Sequence, residues 1–382
     1  MDIYMLLSSG ESVVIKREKN GDIVLNYSSG IKRCIAHDFS DDFDAVCDTN
    51  GAIHFFGVNS SGYLCHICAQ GESLHTNAIL GSRGNGNKIC SVRVLRINSK
   101  LHLFYCLCGK ERLLVHHVTE LGDYGIEPSV IDRIGKKCVY DVAKDSGDNV
   151  YIVYTSDDEG LKFSKYTYNR KEHSVPSAVS PYDAVRISAL CFDGRLFASF
   201  VASDRGRYNV YLADILGGNC VTCAVNVRPD SLISLVNNYD TMCMQWLENQ
   251  MCFSVDCLPS LDISKVKILG KAGGMIRDGG CNTYTQSQAL AVSQSSKPFI
   301  EVKSIPKNPE PRYEVEELAS RYMDVLSRPH IMENDFKNDL MMIEASLERL
   351  INLIENALEK SVIIPKDEYN IEDIKEEESA DE

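Results

Sequence analysis

A strand-turn-strand unit recurs along the first three quarters of this 382-residue chain, and its spacing restricts the available folds more than any other feature. The units read ESVVIKREKNGDIVLNYSSG from residue 11, GAIHFFGVNSSGYLCHICAQG from 51, SKLHLFYCLCGKERLLVHHVT from 99 and DNVYIVYTSDDEGLKFSKYTY from 148. They continue with GRLFASFVASDRGRYNVYLAD from 194, DTMCMQWLENQMCFSVDCL from 240 and, more weakly, SQALAVSQSSKPFIEVKSI from 287. Equivalent first-strand positions are Val13, Ile53, Leu101, Val150, Leu196, Met242 and Leu290, separated by 40, 48, 49, 46, 46 and 48 residues. Aromatic and β-branched residues fill the strands, and Gly, Asn and Asp occupy the turns, as hairpins require.

Each unit also has a strand before its hairpin, as in FDAVCD, SVRVLRI, VYDVAKD, VRISALCF and LISLV. Another often follows, as in PSVIDRI, CVTCAVNV and ISKVKIL. Four short strands per unit cannot bury both faces of one small sheet, whereas stacking such sheets face to face around an axis does so for all of them. The period predicts an all-β fold over residues 1–305, a seven-bladed β-propeller, with six blades as the alternative count and closure borrowing a strand from elsewhere. Seven evenly spaced units are too many for a single β-sandwich.

The turn SDDEGLKF carries a further signal. Ser156, Asp158, Gly160 and Phe163 fit the pattern Ser-x-Asp-x-Gly-x-x-aromatic, and ASDRGRYN repeats Asp204 and Gly206 with Ala202 in place of Ser. The chain thus resembles, at fold level, the Asp-box propellers of the sialidase-like kind and WD-repeat-like propellers. The resemblance implies a structural turn, in which the Asp side chain bonds turn backbone, Gly is left-handed and the aromatic packs between sheets. A sialidase would also need three converging arginines, a Tyr with a Glu partner and an acid/base Asp. GIKRCIAHD and DAVRISAL supply arginines without the Arg-Ile-Pro motif that announces the first of them.

After the Pro-rich linker at 306–312 the apolar period lengthens from two to about 3.5. A first helix is predicted from Tyr313 to Ser327 and a second from Asn334 to Lys360, together a helical arm over 313–360. The second carries Phe336, Leu340, Ile343, Leu347, Leu350, Ile354 and Ala357 at alternating spacings of 4 and 3, a coiled-coil seam. The arm is therefore expected to make a homo-oligomer. Residues 361–382 form an acidic tail with the composition of a disordered segment.

Of the net charge of −14, residues 366–382 contribute −7, from nine acidic and two basic side chains. An acidic chain without a basic stripe repels phosphate backbones, so nucleic acid is excluded as an expected partner. The absence of a ~20-residue apolar run and of a basic, apolar leader in MDIYMLLSSGESVVIK leads to the expectation of a cytoplasmic protein without membrane attachment. The fifteen cysteines lie in apolar strand-like runs and read as core residues.

CVTC (Cys220, Cys223) and LCHIC (Cys65, His66, Cys68) have ligand-like spacing, but residues three apart in a strand face opposite ways. LVHHVTE places His116 and His117 on opposite faces, one exposed and one buried. GSRGNGNK at 81–88 reads as an inter-blade loop, since it lacks the Lys-Ser/Thr ending of a phosphate cradle. No catalytic residue, metal site or cofactor is assigned. The function expected from sequence is a non-enzymatic interaction scaffold for a protein or peptide, multimerised by its arm. The alternative is a carbohydrate-binding or glycoside-hydrolysing propeller.

Overall fold

The run IHFFGVN at 53–59 is buried at every position, and KLHLFYCLC at 100–108 at every position but the first and last. A strand buried on both faces needs a layer on each side, which a lone sheet with one wet face does not provide. In the computed structural model, which describes residues 2–7, 9–81, 87–120, 128–156, 160–238, 241–248, 251–257, 267–271, 276–278, 299–300 and 313–314, the sheets supply those layers to one another.

The described residues form six sheets. The first contains β1 (Asp2–Leu6), β2 (Ser12–Arg17), β3 (Ile23–Tyr27) and β4 (Lys32–Ala36). The second contains β5 (Phe39–Cys47), β6 (Ile53–Asn59), β7 (Leu64–Gln70) and β8 (Ser73–Gly81). The third contains β9 (Lys88–Ile97), β10 (Lys100–Cys108), β11 (Arg112–Glu120) and β12 (Ser129–Arg133). The fourth has β13 (Tyr140–Lys144), β14 (Val150–Ser156) and β15 (Gly160–Thr167), with β16 (Glu172–His173) and β17 (Ser177–Ser180) both pairing β15. The fifth has β18 (Ala184–Phe192), β19 (Arg195–Asp204), β20 (Arg207–Asp214) and β21 (Asn219–Val227). The sixth has β22 (Leu232–Asn238), β23 (Thr241–Glu248), β24 (Met251–Cys257) and β25 (Lys267–Lys271).

Three later strands join these sheets in parallel. They are β26 (Ile276–Asp278) beside β1, β27 (Phe299–Ile300) beside β4 and β28 (Tyr313–Glu314) beside β8. All described elements are strands, so none is a helix long and apolar enough to cross a membrane.

Each predicted hairpin from the first to the sixth is the central pair of one sheet, and each predicted preceding strand is its first. The six equivalent positions from Val13 to Met242 are at most 1% exposed, as the repeat requires. First strands pack consecutively, β5 on β9, β9 on β13, β13 on β18 and β18 on β22, which gives a β-propeller-like arrangement. The seventh hairpin lies outside the described residues except for Phe299–Ile300, which pair in parallel with Lys32–Arg33 on the first sheet. Tyr313–Glu314, placed by the helical period at the head of the arm, are instead a short strand on the second sheet. The rest of the arm, with Phe336, Leu340, Ile343, Leu347, Leu350 and Ile354, lies outside the described residues.

Side chains of Asx type close the turns. Asp48 Oδ1 accepts the N–H groups of Asn50 and Ala52 at 2.8 Å each, Asn59 Oδ1 those of Ser61 and Tyr63, and Asp145 Oδ1 those of Gly147 and Asn149. The bond to residue i+2 substitutes for a turn hydrogen bond and fixes the reversal. Gly57, in mid-strand, is required by packing: a Cβ there would lie 2.8 Å from the Phe55 ring and 2.9 Å from Phe39.

Candidate functional site: the central cavity

The first strands run side by side, so residues one blade apart in sequence meet around the axis. Asp44, Arg93, Asp141, Ser188 and Ser234 are equivalent positions, separated by 49, 48, 47 and 46 residues. Each acceptor reaches the next strand of the ring. The Val94 N–H donates to Asp44 Oδ2 at 3.0 Å, the Ala189 N–H to Asp141 Oδ2 at 2.9 Å and the Leu235 N–H to Ser188 Oγ at 3.0 Å. First-strand amides that face the axis have no neighbouring ladder, so a short polar side chain from the adjacent blade satisfies them.

Arg93 breaks this series of acceptors with a cation. Its Nε lies 3.5 Å from Asp141 Oδ1, and its side chain is 23% exposed. Burial works against the guanidinium charge, but the carboxylates around it, Asp141 and Asp44 foremost, outweigh that and hold its pKa above the usual value. The same strands enclose a cavity of about 230 Å³, whose polar lining is Asp44, Arg96, Asp141, Lys144, Ser188 and Ser234. Two carboxylates, two cations and two hydroxyls thus face one small space. Pockets for drug-sized ligands run from roughly 300 Å³ upward, so this one suits a single small polar unit.

Other sequence candidates do not converge on this cavity. Gly160 pairs with Ser156 across the tight end of the β14–β15 hairpin and has φ +74°, as the Asp-box turn implies. Phe163 is half-buried against the core between the fourth and fifth sheets, and Asp158 lies outside the described residues. A Cβ on Gly160 would meet Ser180 O at 2.5 Å and the Pro181 carbonyl carbon at 2.7 Å. Gly160→Ala is therefore expected to cost about 3 kcal/mol, combining left-handed strain with a backbone clash, and to lower the urea midpoint without changing the slope.

Arg33 donates to the carbonyls of Gly71, Glu72 and Ser73, tying the first sheet to the second, while Arg186 is exposed. Trp246 is a core residue, 4% exposed and stacked on Phe253. Cys65 is buried, Cys68 half-buried, Cys220 exposed and Cys223 half-buried. Burial pushes the Cys65 and Cys191 thiols up to about 12, the behaviour of inert core residues. Gly81 ends β8 and Lys88 begins β9, so the two ends of the glycine-rich segment lie on successive sheets, and residues 82–86 fall outside the described residues.

The expectation for His116 and His117 is corrected, because both are buried, at 2% and 1% exposure. A central strand of a stacked sheet has no wet face. His54 Nδ1 lies 3.0 Å from His66 Nε2 in the second sheet, and His102 Nδ1 lies 3.0 Å from His116 Nε2 in the third. His116 Nδ1 continues to His173 Nε2 at 2.9 Å. Phe56 stacks on His66 and Phe104 on His116, so the arrangement repeats from blade to blade. Burial pushes His66 down to about 3, His102 and His173 down to about 4, and His116 well below the usual imidazole range.

One constellation resembles a nucleophile with its base. Cys34 Sγ lies 3.9 Å from His37 Nδ1, which also meets Asp22 Oδ1 at 2.6 Å. Both partners use the same ring nitrogen, so the imidazole cannot relay a proton from thiol to carboxylate. Sequence reasoning passed over two groupings. One is the axial series Asp44, Arg93, Asp141, visible only once the period is applied to the strands before the hairpins. The other is the thiol cluster Cys90, Cys106, Cys108 and Cys138, part of which was legible, since Cys-x-Cys in a strand puts both side chains on one face.

No protein-family model matches the chain, and no curated protein is similar to it in sequence. Among solved structures it is similar to the SapL1 lectin in complex with alpha methyl fucoside, at 9% identity and a TM-score of 0.47, covering 71% of this chain and 95% of the lectin. It is similar also to the fucose-specific lectin from Aleuria aurantia, at 13% identity and a TM-score of 0.43, covering 72% and 96%. A third is the GH43_1 enzyme from Xanthomonas citri complexed with xylotriose, at 11% identity and a TM-score of 0.40, covering 60% and 91%. Two of these neighbours are lectins, and the third is an enzyme holding a xylotriose. The expectation of a protein or peptide scaffold has no counterpart among these three.

Proposed function

We propose that the protein binds carbohydrate, one sugar unit entering the central cavity. The observation that carries this reading is the lining: Asp44 and Asp141 on one side of the charge balance, Arg96 and Lys144 on the other, with Ser188 and Ser234 between them. A sugar presents hydroxyls that both donate and accept, and such a mixed lining answers both roles. A peptide-docking mouth would be apolar or aromatic instead. Binding is favoured over cleavage because Asp44 and Asp141 each already accept a backbone N–H of the neighbouring strand, which holds them as structural acceptors of the ring rather than as a free acid and base flanking a glycosidic bond. Burial pushes the Asp42 carboxyl up, but Asp42 does not line the cavity.

The same reading takes the propeller as six blades, closed where β26 lies between β22 and β1; its contacts with both strands support this. Titration calorimetry of the full chain against neutral and acidic monosaccharides tests the proposal. At least one sugar is expected to bind, and Lys144→Ala is expected to weaken it roughly tenfold or more, the value of a charge-assisted hydrogen bond. Lys144 is exposed and pairs only locally, with Asp148 at 3.2 Å, so the variant should fold. Absence of binding by every sugar, or unchanged affinity in the variant, would overturn it.

A further inference from the structure

Four cysteines that are far apart in sequence meet at the join between the third and fourth sheets. Cys90 comes from β9, Cys106 and Cys108 from β10, and Cys138 from the turn before β13. The Cys108 sulfur lies 3.2 Å from that of Cys90 and 3.2 Å from that of Cys138, and all three sulfurs lie within 4.8 Å of one another. Cys106, fully buried, stands opposite Cys90 in the ladder, and its thiol contacts those of Cys90 and Cys138.

Two backbone features hold the group together. The β9–β10 ladder is bulged between Phe104 and Cys106, and Ser91, inside the bulge, has φ +55°; bulges of this kind re-aim adjacent side chains. Cys138 itself has φ +50°, in a turn where its N–H donates to Gly135 O at 2.8 Å. The two left-handed residues are clamped to each other: Ser91 Oγ donates to Cys138 O at 3.0 Å, and the Tyr140 hydroxyl donates to Ser91 O. Non-glycine residues are seldom held in this region, and such strain gathers at sites that use it.

We propose that Cys90, Cys106, Cys108 and Cys138 form a tetrathiolate site for a zinc-class divalent cation, which staples the third sheet to the fourth. Three sulfurs packed within 4.8 Å of one another, with a fourth against two of them, gain little from that contact alone. A zinc ion with Zn–S bonds of about 2.3 Å places tetrahedral sulfurs about 3.8 Å apart, a small adjustment for Cys90, Cys108 and Cys138, while the Cys106 sulfur would swing in to complete the tetrahedron. Lys88, in register with Cys108, and Lys136, two residues before Cys138, supply positive charge near a cluster that would carry −2. A disulfide is the rival use of these thiols, but it would join two and leave the others without a role. Binding a cation exchanges the thiol protons for metal–sulfur bonds, so affinity rises with pH.

The test uses the full chain, expressed with zinc supplied, and elemental analysis. About one zinc per chain is expected, with Cys108→Ser and Cys138→Ser losing it, while Cys191→Ser, outside the cluster, keeps it. Cobalt added to the chelator-treated wild type should give the intense thiolate-to-metal absorption of a tetrahedral sulfur site. This readout does not depend on the variants folding. Zinc no higher than in Cys108→Ser together with no cobalt–thiolate band would overturn the proposal, as would a Cys90–Cys108 or Cys108–Cys138 disulfide in peptide maps of the freshly isolated protein.

Discussion

Asp141→Ala is expected to cost about 4 kcal/mol of folding stability, among the largest effects of any single substitution near the axis. The change removes the acceptor of the Ala189 N–H and the carboxylate that lies 3.5 Å from Arg93 Nε, and both partners are half-buried. Asp141→Asn keeps an acceptor for the amide but not the charge, and should cost roughly half as much. Ser188→Ala, which removes only a neutral acceptor from the Leu235 N–H, should cost about 1 kcal/mol. Urea unfolding of the four proteins measures this order. If Asp141→Ala were no more destabilising than Ser188→Ala, the axial aspartate would not be coupling blades through Arg93.

Acid is expected to unfold the protein in a narrow range near pH 5. His66, His102, His116 and His173 are neutral in the folded state because burial disfavours their charge, with values of about 3 for His66 and about 4 for His102 and His173. In the unfolded chain each titrates near pH 6.5, so the unfolded state takes up protons first as the pH falls. The stability is fully present above about pH 6.5 and is lost progressively between there and the folded values. Each histidine contributes a slope approaching 1.4 kcal/mol per pH unit, so four together remove about 5 kcal/mol between pH 6 and pH 5, comparable with the whole stability of a domain. Thermal midpoints measured from pH 8 to pH 5 should be flat at first and then fall steeply. A midpoint unchanged at pH 5 would show that these imidazoles are charged or solvated in the native protein.

The architecture was legible because it is written as a repeat. Ile53, Leu101, Val150, Leu196 and Met242 recur with hairpins around them, and all five occupy the same buried place in successive sheets. Closure was less legible, because β26 and β27 join the first sheet in parallel, and two- or three-residue pairings leave no periodic trace. The histidines were misjudged through a rule for half-exposed strands. His116 and His117 alternate faces as expected, but in stacked sheets both faces are interior. The cavity was invisible for another reason: Asp44, Asp141, Ser188 and Ser234 look like unremarkable polar interruptions in first strands, and their meaning depends on the strands standing side by side. The thiol cluster needed a bulge at Ser91 and a left-handed Cys138, and no spacing rule encodes either.

The central claim is that the axial cavity is the carbohydrate site, and a crystal structure of the full chain with its best-binding sugar tests it most directly. The account predicts one sugar unit between the first strands, with hydroxyls on Asp44, Asp141 and Lys144. A sugar held at clefts on the outer surface of the blades, with the axial cavity free of it, would contradict the account.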